Sequence, residues 1–314
     1  MQRMLRALLF LALASSTLRA WDNGGHEIVD AIACAHLNPK AKQAVDQLAA
    51  QVHSSRGAYD AITLGCWMDD IRADPAVPDD RKFRTWHYID IPIDPNAPVP
   101  PFEPGTDDAL HGNAVQALKR ALAVLKGGAD PYIADKPTAL AIVMHLVGDI
   151  HQPLHCATNT IVVHGNAIDD RGGNLELVSN GPPGDAKFTL HRFWDEAYRA
   201  TFDDASGFVR IDDFQLNPAQ ISECDDDLRK QGAAISLEPD FDRWAKSSNS
   251  IARHLVYPGI TSGDNPKLCR LSSAYVAQAR VMARSQLDAA GQRLATLLNE
   301  ILGGEIPPPT SPNG

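Results

Sequence analysis

Apolar positions along this chain recur mostly at three- and four-residue intervals, the spacing of one helix face. Between His26 and His36, the residues Ile28, Val29, Ile32 and Ala33 share a face, and Ala41–Val52 repeats the pattern. Asp107–Lys126 carries Leu110, Ala114, Val115, Leu118, Ala121 and Leu125 at helical spacing. Lys136–Ile150 is apolar nearly all round, which predicts a central helix buried on every side. Phe241–His254 is a further helical segment. Ser272–Leu302 is a long amphipathic one, with Val276, Ala283, Leu287, Leu294, Leu298 and Ile301 on its stripe. Gly291 is expected to weaken the middle of that helix by about 1 kcal/mol relative to Ala. Strand signals are short and confined to Thr85–Ile91 and Asn174–Val178. No internal repeat or linker divides the chain. The Pro-rich stretch Asp94–Gly105 reads as a surface loop, and Gly303–Gly314 as a disordered tail. The expectation is an all-α fold in a single helical domain.

The exception to this patterning is the first segment. Met1–Ala20 has Arg3 and Arg6 ahead of a short apolar run, Ala7–Ala14, and Ala20 offers a small residue at a cleavage point. The run is too short to span a bilayer comfortably, so it reads as a cleaved signal peptide, with Trp21–Leu302 as the mature domain. Removing Arg3, Arg6 and Arg19 takes the formal charge from −10 to −13. The destination is the periplasm or the exterior, with no membrane attachment after cleavage. Disulfides are permitted there. Cys34, Cys66, Cys156, Cys224 and Cys269 are odd in number, so two bridges at most can form. Cys224 and Cys269, in polar stretches, are the preferred pair, and Cys34 reads as a buried helix residue. No Asn-X-Ser/Thr sequon is present. A surface this acidic repels polyanions, so a nucleic-acid activity needs a local source of positive charge, such as metal ions.

Histidines and aspartates supply that possibility. In His145-x3-Asp149-x-His151-Gln152-Pro153-Leu154-His155, a helix puts His145 and Asp149 on one face, and Pro153 breaks it and redirects His155. Imidazole and carboxylate together suit zinc, whereas an unpaired charge at the end of an apolar helix is unfavourable. His191-x3-Asp195 repeats the spacing. Trp67-Met68-Asp69-Asp70-Ile71-Arg72 and Trp86-His87-Tyr88-Ile89-Asp90 add a carboxylate and an imidazole, and His26 lies five residues after the expected new N-terminus. The His145–His155 segment alone already favours metal over core histidines; each of the other clusters says little alone, and their recurrence strengthens the metal reading. Trp67, Trp86 and Trp194 read as packing around a site. His36, His53, His111, His151, His164 and His254 lack a partnering acid in a similar frame or sit in loops.

The order of these motifs, with Trp21-x3-Gly25-His26 before them and Gly172-Gly173-Asn174 between His155 and His191, resembles the zinc-dependent, single-strand-specific type I nucleases. That family shares its helical fold with the zinc phospholipases C. Ala290-Gly291-x-Arg293-Leu294-Ala295-x3-Asn299 is similar to the family's last helix. The likeness covers Trp21–Leu302. It implies three Zn²⁺ ions. Asp69, His87, His145 and Asp149 would hold one. His155, His191 and Asp195 would hold a second. The third would take the α-amine and carbonyl of Trp21, His26 and the second oxygen of Asp149. The amine becomes available only after the leader is cut, so the precursor should lack a complete site. Three zinc ions against three aspartates leave a local excess near +3 (the notional sum of ion and ligand charges), enough to hold one phosphate without a basic groove.

The resemblance also implies the reaction. A hydroxide bridging two zinc ions attacks phosphorus in line and the bond to O3′ breaks, which gives 5′-nucleotides from single-stranded DNA or RNA and removes terminal 3′-phosphates. Arg72 and Asp69 are the catalytic candidates, with Arg72 on the phosphate. Tyr88 matches the family's stacking aromatic, Asp90 its base-edge acid and Asn174 its neighbouring polar contact; read alone, Tyr88-Ile89-Asp90 is an ordinary strand. Asp22 stands where the family usually has Gly, Cys156–Arg171 is longer than in fungal members, and Cys66 and Cys156 adjoin the motifs. They bridge, pack as thiols or bind metal. The alternatives are a zinc phospholipase C and a non-catalytic secreted zinc protein. Tyr88, Asp90 and the Gly-Gly-Asn segment favour a nucleotide over a lipid, no appended membrane-binding domain is expected, and Arg72 argues for catalysis. No stable protein partner is implied, and a monomer is expected.

Overall fold

The computed structural model describes residues 21–94, 112–163, 165–179, 187–205, 207–216, 237, 239–260 and 268–304. The leader, the tail from 305 on, His111, His164, Cys224 and nearly all of the Pro-rich loop lie outside these residues. So does the start of the segment expected to be helical from Asp107.

The fold is all-α with small strand pieces. Helix α1 (Asn23–Ala35) starts where the Asp22 side chain accepts from the Gly25 N–H. Helix α2 (Pro39–Ala49) pairs an Asn38 cap with Pro at its first position. Two short strands, β1 (His53–Ser54) and β2 (Gly57–Ala58), precede α3 (Trp67–Ala73). A reciprocal Asn113–Gln116 capping box opens α4 (Ala114–Leu125). The Asp135 side chain caps α5 (Lys136–Asp149), and every residue of α5 from Ala139 to Asp149 is buried. Its lack of a polar face has a cause: α1, α2, α3 and α4 all pack against it. Beyond α5, a 3₁₀ turn at Pro153–Cys156 leads into a hairpin of β3 (Thr160–Val163) and β4 (Asn166–Asp169), which occupies the long stretch before the Gly-Gly-Asn segment.

Strands β5 (Leu177–Ser179) and β6 (Lys187–Thr189) pair antiparallel before α6 (Leu190–Asp195). A hairpin of β7 (Ala200–Asp203) and β8 (Phe208–Ile211) follows. Helix α7 (Phe241–Ile251) passes into a π-helical turn, Ala252–Val256. Strand β9 (Cys269–Arg270) pairs parallel to β5, and α8 (Ser273–Leu302) then lies along α1. Among the described residues no helix is long and apolar enough to cross a membrane.

Three local expectations change. The Thr85–Ile91 run of aromatic and β-branched residues is not a strand. Arg84–His87 is a 3₁₀ turn, entered through Phe83 at φ 48°. Tyr88 itself is extended; after it Ile89 N–H donates to His155 O at 2.8 Å, and Ile91 N–H turns back to Ile89 O at 3.0 Å. The second strand starts later than expected, at Leu177, and leaves Asn174 in a turn. Gly291 is not simply a weak helix residue. A Cβ there would stand 2.6 Å from Ile32 Cβ and 3.0 Å from Val29 O, so the glycine allows α8 and α1 to approach. Gly291→Ala is therefore expected to destabilise. Overpacking costs about 1–3 kcal/mol and exceeds the ~1 kcal/mol helix-propensity gain. Urea midpoints check this; a midpoint higher than wild type would show that the contact relaxes freely.

Candidate metal centre

The carboxyl end of α5 and the turns around it gather the ligand candidates. The buried donors form three groups: His26, His145 and Asp149; Asp69, His87 and His145; and His155, His191 and Asp195. Within each group one donor atom per residue lies within 4.8 Å of the others. Asp149 stands between two of them. Its Oδ1 is 3.4 Å from His26 Nε2, and its Oδ2 is 3.0 Å from His145 Nε2 and 3.2 Å from His87 Nδ1.

Backbone carbonyls aim the imidazoles. His145 Nδ1 donates to Gly65 O at 2.6 Å, His155 Nδ1 to His87 O at 2.5 Å and His191 Nδ1 to Gly172 O at 2.8 Å. Each ring thereby gives up its only neutral-state proton at Nδ1 and presents a bare Nε2. His155 Nε2 and His191 Nε2 then face each other at 3.0 Å, two acceptors with no proton to share while both rings are neutral. A cation between them removes that conflict. Neither ring nitrogen of His26 and neither oxygen of Asp149 has a hydrogen bond, although all four atoms are buried. Such unmatched acceptors fit a cation.

Burial dominates the electrostatics. It lowers His26, His87 and His155 well below the usual imidazole range, with neighbouring positive groups, Arg72 among them, adding to the effect. Neutral imidazole is the form that ligates. Burial pushes the Asp149 carboxyl up to about 6 against the pull of His145, and holds Asp195 well above the usual range. For His145 burial acts downward, but Asp149 beside it raises the net value.

The neighbouring acids divide cleanly. Asp70 turns away, accepts from Tyr59 Oη at 2.9 Å and pairs with Arg56 at 2.7 Å. Asp69 turns inward and meets Arg72 Nη2 at 3.0 Å, one helical turn on. Asp195 Oδ1 accepts from Gln152 Nε2 at 2.7 Å. Trp21 is fully buried, and its indole N–H donates to Gly148 O at 3.0 Å, next to Asp149. Trp67, Trp86 and Trp194 are core residues.

The base-side candidates sit close by. Tyr88 and Asp90 are half-buried on the segment that Ile89 N–H bonds to His155 O. Asn174 Nδ2 donates to Arg171 O at 2.8 Å, within the turn that positions Gly172 O against His191. His151 is not part of the cluster. Its Nδ1 donates to Val147 O at 2.6 Å, and its Nε2 accepts from Arg293 at 2.6 Å. Cys66 and Cys156 pack as buried thiols against the carbonyls of Asn23 and Ile150, and burial raises both, which disfavours thiolate ligation. Cys34 is only half-buried.

The sequence reading missed Asp30. This fully buried acid accepts from Gly65 N at 2.7 Å, and the carbonyl of the same Gly65 fixes His145. The signal was present: His26-x3-Asp30 has the same spacing as the two recognised pairs.

Comparisons with known proteins agree with this geometry. Over 309 residues, 94% of this chain and 95% of the relative, the sequence is 27% identical to Endonuclease 2 of Arabidopsis thaliana. Endonuclease 1 of the same plant is 25% identical over 321 residues, 96% of this chain and 94% of the relative. The family model for S1/P1 nuclease matches residues 21–303, which include all nine ligand candidates, and the chain belongs to that family.

Proposed function

We propose that this chain is an exported, zinc-dependent phosphodiesterase that hydrolyses single-stranded DNA and RNA to 5′-nucleotides and removes 3′-phosphates from nucleotides. The observation that carries the reading is the convergence of three buried donor groups with unmatched acceptors, two of them joined through His145 and Asp149. Three zinc ions fit this set, with Trp21 supplying its amine and carbonyl once residues 1–20 are removed. Family membership supports a nuclease.

Bound zinc supplies an attacking water of lowered pKa and a Lewis acid for phosphate oxygen. The chain's own groups do the rest. Asp69 holds Arg72 in place by their 3.0 Å ion pair, and the guanidinium donates to phosphate oxygens as charge builds on them. Asp149 turns one oxygen toward His26 and the other toward His145 and His87, and so would serve two neighbouring zinc ions at once. His155, His191 and Asp195 present a third set, held by Gly172 O and Gln152. Tyr88 stacks on an unpaired base while Asp90 and Asn174 contact its edge. Stacking on an aromatic offsets the lost neighbours of an unstacked base, and a base inside a duplex does not reach it.

The test is product analysis. The chain starting at Trp21 is expected to release 5′-mononucleotides from single-stranded DNA, and a zinc chelator is expected to abolish the release. A zinc-loaded protein that leaves DNA and RNA intact but cleaves phosphatidylcholine would overturn the reading in favour of a lipid phosphodiesterase.

A further inference from the structure

Asp22 makes more contacts than a helix cap needs. Its Oδ1 accepts from Gly25 N at 3.1 Å and from Tyr198 Oη at 2.9 Å, and its Oδ2 pairs with Arg199 Nη2. Its own N–H donates to Asp195 O at 3.4 Å, and its carbonyl accepts from Gly25 and His26. Tyr198 and Arg199 are themselves anchored. Arg284 Nε donates to Tyr198 O at 3.0 Å, and Arg199 Nη1 donates to Asp212 O at 2.9 Å. The Tyr198 ring also meets the Trp21 indole edge-on, with centroids 6.4 Å apart. One residue thus ties the first turn of α1, which carries His26, to the segment that carries Asp195. Gly25 completes the arrangement: a Cβ there would stand 2.6 Å from Trp21 Cβ, so residue 21 folds back onto the first turn.

We infer that Asp22, with Tyr198 and Arg199, is a positioning residue that seats the backbone of Trp21, so that its freed amine and carbonyl hold the zinc ion shared with His26 and Asp149. The inference rests on the ligand scheme proposed above. The glycine that the family usually has here could not make these side-chain bonds. The Trp21 amine is the one ligand at a chain end, where nothing beyond it restrains the backbone. A fixed Asp22 lowers the entropy lost when that end is held. The role is the same as that of groups that orient a ligand from behind, whose removal typically weakens metal binding by about 10–100-fold.

The experiment is a cycle in zinc affinity. Chains starting at Trp21 are prepared with a free amine and with an acetylated amine, each as wild type, Asp22→Gly and Asp22→Asn. Zinc occupancy is read by native mass spectrometry across a series of buffered zinc concentrations, with thermal melts alongside. Asp22→Gly with a free amine is expected to weaken one of the three zinc ions by about 10–100-fold and leave the other two unchanged. Asp22→Asn keeps an acceptor for Gly25 and Tyr198 but loses the charge pair, and is expected to fall between. With the amine acetylated, the substitution should change zinc affinity much less, because only the Trp21 carbonyl is left to be seated. An equal effect in free and acetylated chains, or one spread over all three ions, would mean that Asp22 only supports the fold, and would overturn the inference. A wild-type chain whose zinc content ignores acetylation would remove Trp21 from the ligand scheme, and the inference with it, while leaving a zinc-dependent nuclease standing.

Discussion

A chain starting at Trp21 and carrying Asp149→Asn is expected to hold one zinc ion, against three for the parent in the scheme proposed above. Its activity on single-stranded DNA should fall by on the order of 10³ or more, at least the scale of removing one group that stabilises a transition state. The reason is geometric. The two carboxylate oxygens face different donor groups, one toward His26 and the other toward His145 and His87. An amide keeps the shape but offers one neutral oxygen, and its NH₂ would point at a cation. The group of His155, His191 and Asp195 does not use Asp149 and should keep its ion. Folding is not the cause of the loss. An amide in place of this fully buried carboxylate gives up the attraction to His145 but no longer buries a charge, so the metal-free chain should change little in stability. Zinc content by mass spectrometry and melts of metal-free protein separate the two effects. Three zinc ions and undiminished turnover in the variant would sink the ligand scheme.

Arg72→Ala is expected to lower kcat by about 10²–10³-fold with zinc content unchanged. The guanidinium is nearly buried, lies one helical turn from Asp69 and pairs with it at 3.0 Å. That pair holds the guanidinium directly against the donor groups proposed to carry zinc. Arg72→Lys should recover only part of the loss, because a point charge does not reproduce two parallel donors. Steady-state kinetics on a short oligonucleotide, with zinc measured in the same samples, check this. A rise in KM at constant kcat would move Arg72 from the transition state to ground-state binding.

Both predictions concern residues already named from the sequence, Asp149 by its spacing from His145 and Arg72 by the resemblance to the nuclease family. Helical periodicity placed His145 and Asp149 on one face, and the uniformly apolar Lys136–Ile150 announced a helix with no solvent side. The reason is that a helix has fixed geometry: residues four apart are neighbours whatever the rest of the chain does. Pro153 marked the break after α5 for an equally local reason. The strand read into Thr85–Ile91 failed because its aromatic and β-branched composition was local, whereas its conformation is set by distant bonds to His155 and Thr158.

What the sequence determined by itself was the all-α character, the central helix, and the recurrence of His and Asp candidates at ligand spacing, since these follow from neighbour spacing and donor chemistry. Tertiary structure supplies the reason that Asp69, which the resemblance already implied, turns inward rather than Asp70: Tyr59 and Arg56 claim Asp70 from another element. It alone fixed the imidazole orientations through Gly65, His87 and Gly172 carbonyls, which carry no side-chain signature. It also reversed the meaning of Gly291, whose value lies in a contact with Ile32, 259 positions away in the chain. Long-range packing selects among conformations that local propensity leaves nearly equal in energy, and no window of neighbouring residues contains that information.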